Sequence, residues 1–276
     1  MLYKQDGSFP MHDDTVNRKI TVQNQHGEEE YYFVKIAFRD IGRKMLQGEI
    51  ESSKLIYETT PTFITKPYGF GEFPDSGLTA YFYLSQFVEL DIEIPPDPDE
   101  FTQRLAYLHK MSRSPTGKFG FPVPTRDGDR PHIVDWQDSW AVFFRYLFLG
   151  VCRFDIARNG QWPEYERAIQ QIADKVIPIL LEPLQANGRK LKPCLIHGDL
   201  WEGNMGINLE TGDSMIFDAA SYFSHNEMEF GHWAYNNMCY LNEKYAPIEY
   251  MDKYDPALDP NITGLSIIPH LAEGLI

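Results

Sequence analysis

The stretch from Cys194 to Ser221, CLIHGDLWEGNMGINLETGDSMIFDAAS, constrains the fold more than any other part of the chain. MGIN and SMIF are short β-prone runs, and the LETGD between them carries Thr-Gly-Asp, a tight-turn signal. A hairpin folded there returns Asp218, at the end of its second strand, to the side of Asn204, just before its first. Asp199 lies upstream on the same loop, so three oxygen-bearing side chains can converge. Oxygen ligands of this kind suit Mg²⁺, which takes one or two carboxylates together with phosphate oxygens and water. A zinc site fits less well, because His197 and His225 form no paired-histidine motif.

His-x-Asp-x-x-x-x-Asn followed by a later Asp is the spacing used for kinase phosphoryl transfer. In that template Asp199 accepts a hydroxyl proton, while Asn204 and Asp218 hold metal on the nucleotide phosphates. An isolated His-x-Asp is more often a structural turn, and it is the whole spacing with its hairpin that favours a site. The template also demands a lysine on a strand and a glutamate on the following helix. Lys35 sits inside YYFVKIAF, an apolar run where a lone ammonium needs a partner. Glu49, at the edge of the apolar face of the next helix, is placed to meet it. Glu51 is the alternative, but it points about 200° around the helix from Glu49.

The surrounding sequence divides by character. Ile20–Gln25 and Glu30–Phe38 read as a hairpin joined by HGEE, followed by an amphipathic helix over GRKMLQGEIESSKLIYETTP that stops before Pro61. A Gly- and Pro-rich connection, YGFGEFPDSG, then leads to a strand-like run, LTAYFYLSQFVEL. The acidic, Pro-rich IEIPPDPDE is the best linker, which places a lobe boundary between Gln86 and Asp97. Beyond it FTQRLAYLHKMS, SWAVFFRYLFLGVCRF and YERAIQQIADKVIPILLEPL read as helices. The expected architecture is α+β: a nucleotide-binding lobe over 1–88 with strands and one helix, and a larger helical catalytic and substrate lobe over 89–276.

A formal net charge of −15 argues against nucleic acid or an anionic membrane as the main partner. Cys152, Cys194 and Cys239 lie far apart with no Cys-x-x-Cys pair, which favours reduced thiols. With no signal-peptide pattern at the start and no membrane-spanning run, the expected location is cytoplasmic.

YFVKI, GRKMLQGEIES, SPTGKFGF, WQDSW, HGDLWEGNMG and IFDAASYFSHNEMEFG, in that order, make the chain resemble the fructosamine kinases, or ketosamine 3-kinases, which include the protein-ribulosamine 3-kinases. HGDL-x-x-x-N alone is shared with many small-molecule kinases, whereas the following Trp201, FDAASYFSHNE and SPTGKFGF are more specific. The resemblance implies a two-lobed protein-kinase-like fold and ATP- and Mg²⁺-dependent phosphorylation of the 3-hydroxyl of a ketosamine, leading to protein deglycation. It makes Asp199 the base, Asn204 and Asp218 the metal ligands, and Lys35 with Glu49 the phosphate-positioning pair. It sets Trp201 against the sugar and the backbone of Gln86, Phe87 and Val88 against adenine. His197 is expected to brace the loop, and Gly198 stands where protein kinases carry the arginine of His-Arg-Asp.

The alternatives are a kinase of another small hydroxyl substrate, as in the aminoglycoside phosphotransferases, and a kinase-like binding module without activity. The second is motivated by the two ends. A glycine turn over the phosphates is expected but only Gly7 precedes the first hairpin, with Asp13 and Asp14 close by, and the family's last helices are not recognisable after GHWAYNNMCYLNEKYAP. Around HNEMEFG, the acidic Glu227 and Glu229 are expected to complement a helix start rather than to join His225 in a second metal site. Lys118 of SPTGKFGF is left open between substrate and solvent. Fructose or ribose adducts, free or protein-borne, and the oligomeric state are also left open.

Overall fold

The computed structural model describes residues 15–74, 79–231 and 233. Strand β1 (Thr15–Gln23) pairs antiparallel with β2 (Glu29–Phe38). Asn24 closes the turn between them, its Oδ1 accepting the N–H groups of His26 and Glu28 at 2.9 and 3.0 Å. The chain passes directly from β2 into α1 (Arg39–Thr59), as the apolar periodicity of GRKMLQGEIESSKLIY predicts. β3 (Pro67–Glu72) and β4 (Ala80–Gln86) complete a sheet of order β1-β2-β4-β3. Phe33, Ala37, Leu46, Ile50 and Tyr83 form the core between this sheet and α1.

β3 departs from expectation, because YGFGE reads as a connection. Its glycines lower β-propensity, yet an edge strand tolerates them. Gly71 lies under Phe82, whose ring would stand 2.9 Å from a Cβ there, so close packing rather than propensity explains the residue.

The chain leaves this sheet through β5 (Leu90–Asp91), which pairs with β9 (Met205–Asn208); β9 pairs with β10 (Ser214–Ile216). Between β5 and β9 come α2 (Pro98–Met111), the small hairpin β6 (Arg126–Asp127) and β7 (Arg130–Pro131), and α3 (Trp140–Asn159). A helical run follows, with α4 (Pro163–Gln171) passing through a π-helical turn at Ile172–Val176 into α5 (Ile177–Leu181). Asp97, inside the acidic IEIPPDPDE, caps α2 by accepting the N–H groups of Asp99 and Glu100 at 3.1 and 2.9 Å, so the helix starts within that stretch. β8 (Cys194–Ile196) then pairs with β11 (Tyr222–Ser224). The larger core gathers Phe101, Leu105, Leu108, Phe119, Phe143 and Trp233 beneath these short strands.

SPTGKFGF is structural: the Gly120 N–H donates to the Phe223 carbonyl at 3.0 Å, and Phe119 and Phe121 are buried on either side. Lys118 faces water and lies 3.0 Å from Asp138. Cys152 and Cys194 are buried free thiols. Gly7, Asp13, Asp14, Cys239 and the tail after Trp233 lie outside the described residues. Among the described residues no helix is long and apolar enough to cross a membrane.

Candidate active site

The β9–β10 ribbon forms with Met205 opposite Ile216, and the Phe217 N–H donates to the Asn204 carbonyl at 3.1 Å. That register sets Asp218 next to Asn204. Asn204 is buried and its Nδ2 donates to Asp199 twice, to the carbonyl oxygen at 2.8 Å and to Oδ2 at 3.0 Å. With both amide protons directed at Asp199, the amide oxygen is left as the donor atom for a cation. Asp218 adopts φ 58°, a left-handed conformation uncommon for any residue but glycine, asparagine or aspartate. Strain held at one carboxylate is a recurring mark of functional sites.

From the sheet above, Lys35 Nζ lies 2.9 Å from Glu49 Oε2 and 3.2 Å from Asp218 Oδ1. Burial opposes charge on this ammonium, but Asp218 and Glu49 together raise it above the usual lysine range. Burial also pushes Glu49 up, Lys35 pulls it back down, and the Asp218 charge raises it further. The contact at 2.9 Å makes Lys35–Glu49 a charged pair, and Asp218 is a second carboxylate on the same ammonium. Glu51 turns away and pairs with Lys54 at 2.9 Å.

Burial pushes Asp199 up to about 7, and the neighbouring Asp127 adds to the rise, while the Asn204 hydrogen bond and Arg130 oppose it. Asp127 and Arg130 come from the β6–β7 hairpin and form an ion pair with each other. Asp127-Gly128 is a turn signal, and Gly128 takes φ 57° there, but no local pattern in TRDGDRP says that the hairpin folds back onto the loop. A carboxylate near neutrality is matched to general-base work.

The loop 197–204 is held from below. His197 is fully buried, with Nε2 2.9 Å from the Phe217 carbonyl and Nδ1 accepting the Asp199 N–H at 3.3 Å. Gly198 has φ 84°, and a Cβ there would sit 2.3 Å from the Ala220 carbonyl oxygen. No arginine could occupy that position, which gives the missing His-Arg-Asp arginine a steric cause.

HNEMEFG forms a short 3₁₀ helix, Asn226–Gly231, with Glu227 and Glu229 in its first turn as expected, and Glu229 is in addition buried beneath the loop. Its carboxylate accepts the N–H groups of His197 at 2.6 Å and Gly198 at 3.0 Å, with His109 Nε2 3.5 Å away. Among the described residues no three His, Cys, Asp or Glu side chains form a metal cluster.

Trp201 lies across Gly203 and is 40% exposed, so it does not fill the core. Trp233 does that: it is fully buried, and its Nε1 donates to the Leu200 carbonyl at 3.0 Å. Gln86, Phe87 and Val88 lead out of β4. The Gln86 N–H donates to Lys66 at 2.8 Å and the Phe87 N–H to Tyr31 at 3.4 Å, both backbone carbonyls. A cavity of about 30 Å³ separates this segment from the catalytic side, bordered by Glu49, Tyr83, Gln86, Val88 and Asp218. It would hold a water or two rather than a purine, so a nucleotide would have to widen it.

The sequence pattern of the fructosamine kinases matches residues 3–240. The chain belongs to the fructosamine kinase family. Within it, the chain is 32% identical over 201 residues to a rice (Oryza sativa subsp. indica) protein named "Protein-ribulosamine 3-kinase, chloroplastic", covering 72% of this chain and 55% of that protein. It is 26% identical over 221 residues to a mouse protein named "Ketosamine-3-kinase", covering 71% and 67%. This fructosamine kinase family member thus spans about half the length of the plant relatives it matches. Solved candidate fructosamine-3-kinases share its fold. That of Thermobifida fusca superposes with a TM-score of 0.61 at 18% identity, over 84% of this chain and 79% of the other. That of Haemophilus somnus superposes at 0.57 and 21% identity, over 89% and 78%. The fold is the α+β protein-kinase-like one.

Proposed function

We propose that the chain transfers the γ-phosphoryl group of ATP to the 3-hydroxyl of a ketosamine, a sugar adduct of an amine. One observation carries the reading: Lys35 reaches Glu49 and Asp218 together, directly above a loop on which Asn204 positions Asp199. The names of the rice and mouse relatives supply the substrate class. Residues up to 88 would act as the nucleotide lobe and those from 89 as the catalytic lobe, with Gln86, Phe87 and Val88 flanking the adenine.

In this reading Asp199 takes the proton of the 3-hydroxyl as its oxygen bonds to the γ-phosphorus and the bond to the β-phosphate oxygen breaks, releasing ADP. A side chain pushed to about 7 by burial can hold that proton and return it to solvent. Lys35 orients the phosphates, Glu49 fixes Lys35, and His197 braces the loop. The exposed indole of Trp201 offers a platform for the sugar ring. Asn204 and Asp218 present the hard oxygen atoms that fit Mg²⁺, which when bound neutralises phosphate charge. Positioning and charge neutralisation provide most of the rate in this chemistry. The buried free thiols of Cys152 and Cys194 agree with a reducing, cytoplasmic setting.

The test is mass spectrometry of a fructosamine and a ribulosamine, each incubated with the protein, ATP and magnesium. One added phosphate on either, absent with Asp199→Ala, is expected. Unmodified ketosamines alongside a phosphorylated aminoglycoside or amino alcohol would replace this reading with the broader kinase one. Unmodified substrates throughout, with no thermal shift on adding Mg-ATP, would leave a binding module.

A further inference from the structure

An open groove of about 610 Å³ runs from the β6–β7 hairpin across α3 to the start of α4. At one end stand Asp127 and Arg130; beside them His132 packs edge-on against Tyr222 with ring centroids 5.3 Å apart, and Tyr222 pairs with Ile196 at the start of the loop that carries Asp199, so the groove begins on the side of the proposed base. At the other end the rings of Trp162 and Tyr165 stack at 6.1 Å, and the indole is 61% exposed. Between them, on α3, is Asp155. Asp127 is paired with Arg130, and Asp129 with Arg158 at the rim. Asp155 differs: among the described residues it joins no ion pair, and its partners are Asn159 Nδ2, donating at 2.7 Å, and the Tyr165 hydroxyl. A half-buried carboxylate with neutral partners, beside an exposed aromatic stack, is complementary to a cation carried on an aliphatic stem.

We infer that this groove binds the carrier of the sugar: a positively charged polypeptide segment, with a lysine side chain lying along Trp162 and its ammonium at Asp155. The inference rests on the ketosamine reading and deepens it, since it gives the carrier of the amine a surface of its own. The geometry agrees, because a sugar whose hydroxyl faces Asp199 must send its amine-linked end elsewhere, and the groove leads away from that carboxylate. The groove's own lining carries Asp127, Asp129 and Asp155 against Arg130, a balance that favours a basic partner. The hairpin pair Asp127–Arg130 then divides the sugar side from the carrier side.

Two measurements separate this inference from the catalytic one. In the first, fluorescence anisotropy follows an unglycated, labelled lysine-rich peptide and its glutamate counterpart binding to the full chain. The lysine peptide is expected to bind and the glutamate peptide not to. Trp162→Ala and Asp155→Asn should each weaken binding about five- to tenfold. Equal affinity of the two peptides, or affinity unchanged in both variants, would overturn the groove. In the second, kcat/KM is compared for a ketosamine on a basic peptide and on a small amine. Wild type should favour the peptide-borne form, and Trp162→Ala should lower that ratio about tenfold. Turnover of the small ketosamine with no preference for the peptide would sink the groove while sparing the kinase. Peptide binding without any turnover would do the reverse.

Discussion

Glu229 receives the backbone N–H of His197 at 2.6 Å, so a buried carboxylate from the segment after β11 holds the first residue of the loop that carries Asp199. It takes the Gly198 N–H as well, at 3.0 Å, and His109 stands 3.5 Å behind it. Burial alone would raise this carboxyl, yet His109, His197 and the backbone donor outweigh burial and hold it below the ordinary glutamate value. The loop therefore rests on one ionised group. Glu229→Gln keeps the shape and one acceptor oxygen, but its N–H₂ replaces the other and faces the backbone N–H of His197 or of Gly198. A stability loss of about 2–4 kcal/mol is expected in urea unfolding, with turnover falling while the substrate KM changes little. A variant as stable and as active as wild type would show that the loop holds itself.

Asp218 combines a charge role with a strained backbone, and the two can be separated by substitution. Its φ of 58° suits glycine, and Lys35 keeps Glu49 as partner when Asp218 is removed. Asp218→Gly should therefore melt at or above the wild-type temperature while losing about 10³-fold or more in turnover. A fall of several degrees in Tm together with the lost activity would assign Asp218 to the structure rather than to metal and phosphate binding.

How much of this could be read from the chain varies by element. Local signals sufficed for the β9–β10 ribbon, because Thr-Gly-Asp between β-prone runs fixes both turn and register. They also separated Glu49 from Glu51, since helical period alone decides which faces Lys35. They failed where the cause is non-local. β3 is a strand because Phe82 and its neighbours accept it at the sheet edge, not because YGFGE favours extension. Glu229 is the helix-start acid its position suggests, but only the folded β8–β11 pair shows that it holds the N–H groups of His197 and Gly198. The tryptophan beneath the loop is Trp233, not Trp201, and no sequence spacing distinguishes them. Asp127 and Arg130 sit on a hairpin of four paired residues whose Asp-Gly turn is legible but whose place in the fold is not.

Gly198 is the position where a single methyl group should be decisive. A Cβ would stand 2.3 Å from the backbone oxygen of Ala220, and φ is 84°. Neither atom belongs to a flexible side chain, so relief requires moving the loop or the strand after it. Gly198→Ala should cost about 3 kcal/mol or more and abolish turnover. Gly203, whose Cβ would meet only the movable ring of Trp201, is the control: Gly203→Ala should be stable but should displace the indole. If both variants melted like wild type, the close approach at Ala220 would not exist in solution.

The acid side of the stability profile follows from His225. Burial depresses this imidazole to about 4, with His109 adding a smaller repulsion. Its ring lies 6.0 Å from that of Trp140, and Nδ1 accepts the Glu227 N–H at 3.3 Å, an arrangement that needs the neutral form. In the unfolded chain the same histidine titrates near its ordinary value of about 6.5. Between those two values the unfolded state binds the extra proton, so stability is full above about 6.5 and falls as pH drops toward 4. One proton over that window corresponds to about 3 kcal/mol at most. Below the ordinary glutamate range Glu229 adds to the loss, because its folded value is depressed as well. His225→Gln should be less stable at pH 7.5 but should show a shallower decline between pH 6.5 and 4 in denaturant titrations. If its decline were as steep as that of wild type, the proton uptake would belong to another group, and His225 would not be the residue that limits the fold in acid.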